Sequence, residues 1–262
     1  MRRESYSSWA ALLAVALTRC GGQPSAEAVY GASYREIVVE VDYARGAEPY
    51  TGQVGGSGDA WRLFTGNVER LFQGGDKRFE IPTALSQMQA LDDVSGSDFT
   101  RDQILALADE HRDRPSAGDT ATFYVLFLPG YFSSDGQQQS DVLGVSLGAT
   151  GVIAIFKPVV SAAASRGMQG PIVKFIEQST LVHELGHALG LVNNGVAMVA
   201  PHQDTTNGTH CTNPKCVMYH TNEGAAAATE FVKQYVKTAD SILFGDECLA
   251  DTAAQIAASR PE

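Results

Sequence analysis

Apolar positions along the chain recur with two different periods, and the places where the period changes divide it into elements. Arg35-Glu-Ile-Val-Val-Glu-Val-Asp-Tyr43 predicts a strand. Trp61, Phe64, Val68, Leu71 and Phe72 then recur at three- and four-residue steps. They predict a helix over 60–73, with Asp59 as its N-cap and Gly74-Gly75 as its stop. Phe79 to Leu85 reads as a second strand. Thr100-Arg-Asp-Gln103 has the spacing of a capping box and opens a helix to about Arg112, with Ile104, Leu105 and Ala108 inward. Thr122 to Leu128 is a strongly apolar strand, ended by Pro129-Gly130. A polar loop over 135–140 is followed by short strands at Val142 to Leu147 and Val152 to Phe156. Residues 171–189 form a long apolar helix: Pro171 suits its first turn, and Ile172, Phe175, Ile176, Val182, Leu185 and Leu189 give it apolar surface. Further helices are expected from Glu223 to Lys237 and from Glu247 to Ala258.

Strands alternating with helices ahead of the long apolar helix indicate an α/β N-terminal lobe, 35–190. The helices behind it form a small, mainly helical C-terminal lobe, 191–262. Residues 21–34 are polar and rich in small side chains, a linker. The chain shows no internal repeat, coiled coil, phosphate loop or Ser/His/Asp spacing.

The candidate chemistry lies in the long helix. His183 and His187 are four residues apart, so a helix stacks their imidazoles on one face. Two histidines and a glutamate in so apolar a helix need a partner, because buried polar groups must be satisfied. A metal ion is the natural one, and two converging neutral imidazoles suit Zn²⁺. Glu184 sits one residue round the helix, placed to take a proton from a water on the ion. Core histidines bonded to backbone are the plain alternative. Gly190 stops the helix as glycine does where the chain must turn left-handed.

His183, Glu184, His187 and Gly190 match the pattern HExxHxxGxx of the metzincin clan of zinc metallopeptidases, which the chain resembles. That pattern continues with His or Asp, and here the position holds Asn193. A second match follows in Thr209-His-Cys-Thr-Asn-Pro-Lys-Cys-Val-Met-Tyr219. Archaemetzincins carry a third His followed by Cys, four residues, Cys, one residue and Met; His210, Cys211, Cys216 and Met218 keep that order. The histidine arrives at 210 instead of 193, an insertion of 17 residues. The stretch is also similar to a group of bacterial envelope metalloproteases, and the resemblance is specific over 181–219. It implies His183, His187 and His210 as ligands of one catalytic Zn²⁺, with His202 and Asn193 as competing third positions. It implies Glu184 as general base and Met218 as the methionine beneath the metal. Tyr219 follows Met218 directly, where the clan often places a tyrosine two residues on. By the same analogy Leu143-Gly-Val-Ser-Leu147 is a strand edge for an extended substrate, against its reading as an ordinary internal hairpin. His111 and His220 read as ordinary histidines. His202 and Asp204 also fit loop hydrogen bonding.

Charge and cysteines narrow the setting. The 262 residues carry 19 Lys and Arg against 30 Asp and Glu, a net −11, which argues against nucleic acid as partner. Arg2 and Arg3 precede an apolar run from Trp9 to Leu17 too short to span a bilayer. Leu17-Thr-Arg-Cys20-Gly-Gly resembles a bacterial lipoprotein signal, with Arg19 atypical before the cysteine. Secretory cleavage after Ala26-Glu-Ala28 is the alternative. Export follows either way, to the bacterial cell envelope with a lipid anchor through Cys20, or as a secreted protein. Cys211, Cys216 and Cys248 remain, and in an oxidising compartment a Cys211–Cys216 disulfide is the leading pairing. Archaemetzincins use four cysteines for a second, structural zinc. With three here and no CxxC companion for Cys248, that second ion is not expected.

The expectation is an α/β (α+β), two-lobed zincin acting as an exported zinc metalloendopeptidase on peptide or protein substrates. A catalytically inactive envelope lipoprotein and a zinc-stabilised binding protein are the alternatives.

Overall fold

Strand β1 (Glu36–Ala44) lies at the centre of the architecture. In the computed structural model, which describes residues 23–54, 58–165, 170–220, 224–238 and 242–260, it pairs in parallel along nearly its whole length with β5 (Thr120–Leu128). On its other side it holds two short parallel strands in succession, β2 (Arg78–Glu80) and β3 (Gln89–Leu91). Beyond β5 come β9 (Val152–Phe156), parallel, and β8 (Gly144–Ser146), antiparallel, so the order is β2-β1-β5-β9-β8. Burial on both faces explains why Ala121 to Leu128 and Val152 to Phe156 read as unbroken apolar runs. A separate three-stranded sheet joins β4 (Asp98–Thr100), β6 (Tyr131–Ser134) and β7 (Gln137–Gln139).

The helices are α1 (Ala26–Tyr30), α2 (Arg62–Leu71), α3 (Arg101–His111), α4 (Lys157–Ser165), α5 (Pro171–Ala188), α6 (Ala225–Thr238) and α7 (Asp246–Ala258). Thr100 and Gln103 close the expected capping box at the start of α3, Thr100 Oγ1 accepting from the Gln103 amide and Gln103 Oε1 from the Thr100 amide. Helix α5 packs against β8, β9, α2, α4 and α6. Its inward polar side chains are satisfied locally: Glu177, fully buried, ion-pairs with Lys157 and accepts the Tyr50 amide at 2.6 Å. Core residues on both sides of position 190, Phe123 and Leu185 with Met218, Phe231 and Ile256, join one cluster.

Four expectations differ from what is found. The stretch 21–34, read as linker, contains α1, whose Val29 and Tyr30 enter the core, Tyr30 stacking on Phe72 at 4.7 Å. Five residues are too few to show a helical period. The strand expected over 79–85 ends at Glu80, two residues before Pro82, whose nitrogen has no hydrogen for a ladder. The polar loop 135–140 contributes the turn and second strand of the β6–β7 hairpin, its turn made by Asp135 and Gly136 at φ 52° and 71°, the Asp-Gly pair that a tight hairpin favours. Helix α4 follows β9 without a break and has no counterpart in the sequence reading. The export signal and Cys20 lie outside the described residues. Among the described residues no helix is long and apolar enough to cross a membrane.

Candidate metal centre

Helix α5 presents His183 and His187 one turn apart, and the chain returning through 209–210 brings His210 to the same point. The Nε2 atom of His187 stands 3.1 Å from that of His183 and 3.2 Å from that of His210. Their ligand atoms all lie within 4.8 Å of one another. Donors about 2.0–2.1 Å from a tetrahedral ion are about 3.3 Å apart, so the spacing fits a shared Zn²⁺.

The far side of each ring is held by an oxygen acceptor or hydroxyl of the chain. His183 Nδ1 donates to the Val217 carbonyl at 2.7 Å, and His210 Nδ1 to the Asn207 carbonyl at 2.6 Å. A neutral imidazole that gives its proton from Nδ1 carries a lone pair on Nε2. A cation at the point where the three Nε2 atoms converge is a fitting partner for such nitrogens. His187 Nδ1 lies 3.3 Å from Thr209 Oγ1, so each ring has an orienting partner, as metal-bound imidazoles do.

The competing third positions are elsewhere. Asn193 follows a turn in which Gly190, Val192 and Asn193 take φ of 80°, 55° and 60°, and its side-chain amide donates to Gln203 Oε1 at 3.0 Å. Gly190 lets the turn close, because a Cβ there would stand 2.9 Å from the Asn194 carbonyl oxygen. His202 is buried against Cys211 and Asp251. Asp204 accepts from Asn207 in the loop that positions His210, a role the sequence reading allowed. The loop 191–209 returns the chain so that His202-Gln-Asp204 runs beside His210-Cys-Thr212, joined by Asp204 N to the His210 carbonyl at 2.7 Å and Thr212 N to the His202 carbonyl at 2.8 Å.

Met218 is fully buried against α5. It reaches the helix because residue 186 is glycine: a Cβ there would stand 2.4 Å from the methionine sulfur. Tyr219 packs against His220 at 4.6 Å between ring centroids. On the open side is a cleft of about 310 Å³ whose walls include Glu184, His187, His210, Thr209, Phe132 and the strand Gly144–Ser146. Glu184 fits under that strand because residue 144 is glycine: a Cβ there would press on the Glu184 Cγ at 3.1 Å. Strand β8 is the last in the main sheet, so one edge of it borders the cleft.

A second cluster lies one peptide bond from His210. Cys211, Cys216 and Cys248 are all fully buried and in no disulfide, with Cys216 and Cys248 sulfurs 3.6 Å apart. The expected Cys211–Cys216 disulfide is absent. Hydrogen bonds from Cys216 and then Cys248 pull the Cys211 thiol well below its usual range, while the bond to Cys211 pushes Cys216 and Cys248 up. Three thiols so close ionise together only against a positive charge.

No family model matches the chain, and no curated protein matches it. Among solved structures it is similar to a zinc-dependent peptidase from Methanocorpusculum labreanum, at 13% identity and a TM-score of 0.45, over 82% of this chain and 99% of that one.

Proposed function

We propose that this chain is a zinc-dependent metalloendopeptidase of the metzincin clan, archaemetzincin-like in its motif. The observation that carries the reading is the convergence of the His183, His187 and His210 Nε2 atoms, each ring held from behind, beside a cleft that Glu184 lines. The donor set is that of a catalytic zinc site, three protein ligands with a side left open.

Zn²⁺ held there supplies Lewis acidity, making a water acidic near neutral pH and polarising a scissile carbonyl. The residues do the rest. His183 and His210, locked by backbone carbonyls, hold their rings without further reorganisation. Glu184 takes the proton of the attacking water and passes it to the leaving amine, the work of a general base and then a general acid. Its closeness to Gly144 keeps the carboxylate beside the substrate edge. Strand β8 offers unpaired backbone groups to an extended peptide, which makes the substrate a peptide or protein chain bound in β conformation. The lobes 35–190 and 191–262 form the two sides of the cleft.

We further propose that the protein is exported, to the cell envelope through a lipid on Cys20 or in secreted form. Arg2, Arg3 and the apolar run Trp9 to Leu17 support this.

The test compares purified wild type with Glu184→Ala for zinc content and casein cleavage. The expected result is equal metal at the histidine site and cleavage only by the wild type. Equal activity in both proteins, or none in either with metal bound, overturns the enzymatic reading.

A further inference from the structure

The chain ahead of β1 packs along the domain instead of leading away from it. Gln23 lies on the turn between β8 and β9, where a Cβ on Gly151 would stand 2.4 Å from the Gln23 Cδ. Ser25 then caps α1, its hydroxyl oxygen accepting the Ala28 amide at 3.3 Å. Ala26 covers the turn that ends α5: a Cβ on Gly190 would stand 2.7 Å from the Ala26 Cβ, and one on Gly195 3.2 Å from it. Val29 and Tyr30 follow into the core at 1% and 2% exposure, Tyr30 against Phe72 of the segment just after α2. Past α1, Lys77 Nζ donates to the carbonyls of Gly31 and Tyr34, and a Cβ on Gly31 would meet Ser259, which follows α7. Eight residues thus touch the sheet, the end of α5 and the neighbourhoods of α2 and α7.

Resting on the export reading above, we propose that residues 23–30 are a strap that stays with the mature protein, and that processing cuts the chain upstream of Gln23 and not after Ala28. The sequence leaves both cleavage points open, because Ala26-Glu-Ala28 has the small residues of a secretory cleavage site. The fold separates them. A cut after Ala28 makes Val29 the N-terminus and puts an α-ammonium on a residue that is 1% exposed, where an unpaired charge is costly. It also removes the Glu27 carbonyl that accepts the Gly31 amide at 2.9 Å, and Gly31 is buried. A buried amide without its acceptor costs more than the hydrogen bond was worth. A cut upstream of Gln23 leaves every one of these contacts in place.

The strap reaches the histidine cluster through one turn. Residues 190–195 present Gly190 and Gly195 to Ala26, and the same turn carries Asn194, which lines the cleft and donates from its side-chain amide to the His187 carbonyl at 3.2 Å. The Val196 amide closes the turn on the Gly190 carbonyl at 2.8 Å. Ala26 therefore backs a wall of the cleft, and its methyl fits because the two residues it covers have none. That support holds whether or not the cleft hydrolyses peptides.

The experiment produces the full-length chain in a bacterial host, recovers the folded protein from envelope and medium, and determines its N-terminus by intact mass and tryptic peptides. The expected protein keeps Gln23 to Arg35 and has lost Glu4 to Arg19. A folded, cooperatively melting protein that starts at Val29 overturns the proposal while leaving export intact. A chain that still carries Glu4 to Arg19 sinks the export reading, and the processing point with it. A second arm tests the packing in the recovered protein. Ala26→Leu forces extra volume against Gly190 and Gly195 and should lower the thermal midpoint by at least about 2 °C. An unchanged midpoint overturns the strap. Should Ala26→Leu fail to fold, the N-terminus of the wild type decides alone. Casein cleavage enters neither arm, so failure of the peptidase reading stays separate from failure here.

Discussion

The two clusters joined by the His210–Cys211 peptide bond use similar materials and differ in what surrounds them. In the first, three imidazoles converge where a cleft reaches them, a carboxylate stands alongside, and each ring is oriented by an oxygen of the chain. In the second, three thiols and one imidazole are closed off on every side, and the nearby carboxylate is used to orient the ring. An open side permits exchange with solvent and substrate; a closed, buried cluster does not. The comparison teaches that neighbouring residues can serve opposite purposes, because the backbone turns between them and sends one side chain to the cleft and the other to the core.

The largest break in that comparison should come from metal removal. Chelation of the wild type should abolish casein cleavage and added Zn²⁺ should restore it, while Cys248→Ser, if folded, keeps zinc-dependent cleavage. Cleavage undiminished by chelation would remove the distinction between the two clusters. Next in size is Glu184→Gln, which should reduce kcat on a fluorogenic peptide by about 10²–10⁴, or about 3–5 kcal/mol of barrier, with an unchanged melting curve. Activity within a factor of three of wild type would exclude the proton-transfer role.

A third variant acts between the clusters. Gly186→Ala places a Cβ against Met218, and overpacking of this kind costs about 1–3 kcal/mol, measurable in urea unfolding. An undiminished midpoint would mean that the methionine moves aside without penalty. The smallest expected effect is Thr209→Val, which removes the hydroxyl behind His187 and should weaken metal binding at the histidine cluster about tenfold. Competition with a chromogenic chelator reads it.

Much of the scaffold was legible because its elements are long. Strand β1, helices α2, α3 and α5, and the strongly apolar β5 each repeat a period often enough to be seen, and the Thr100–Gln103 box marks its helix start directly. Short elements were not: α1 has five residues, and the β6–β7 turn signals itself only through Asp135-Gly136. Helix α4 lay hidden because Val159 and Val160 continue the apolar run of β9. The sites divide similarly. His183, Glu184 and His187 are fixed relative to one another by the helix. The place of His210, 23 residues past His187, and of His202 beside the cysteines depends on how the loop 191–209 folds back.

The sequence alone determined, then, that one helix would carry two imidazoles and a carboxylate on neighbouring faces, since a 3.6-residue repeat leaves no other arrangement. Only the tertiary structure decided which distant histidine meets them, that the cysteines do not pair, and that Asp251 reaches His202. Those contacts bridge segments up to 49 residues apart, where spacing along the chain carries no information about distance in space and only the packing of the core supplies it.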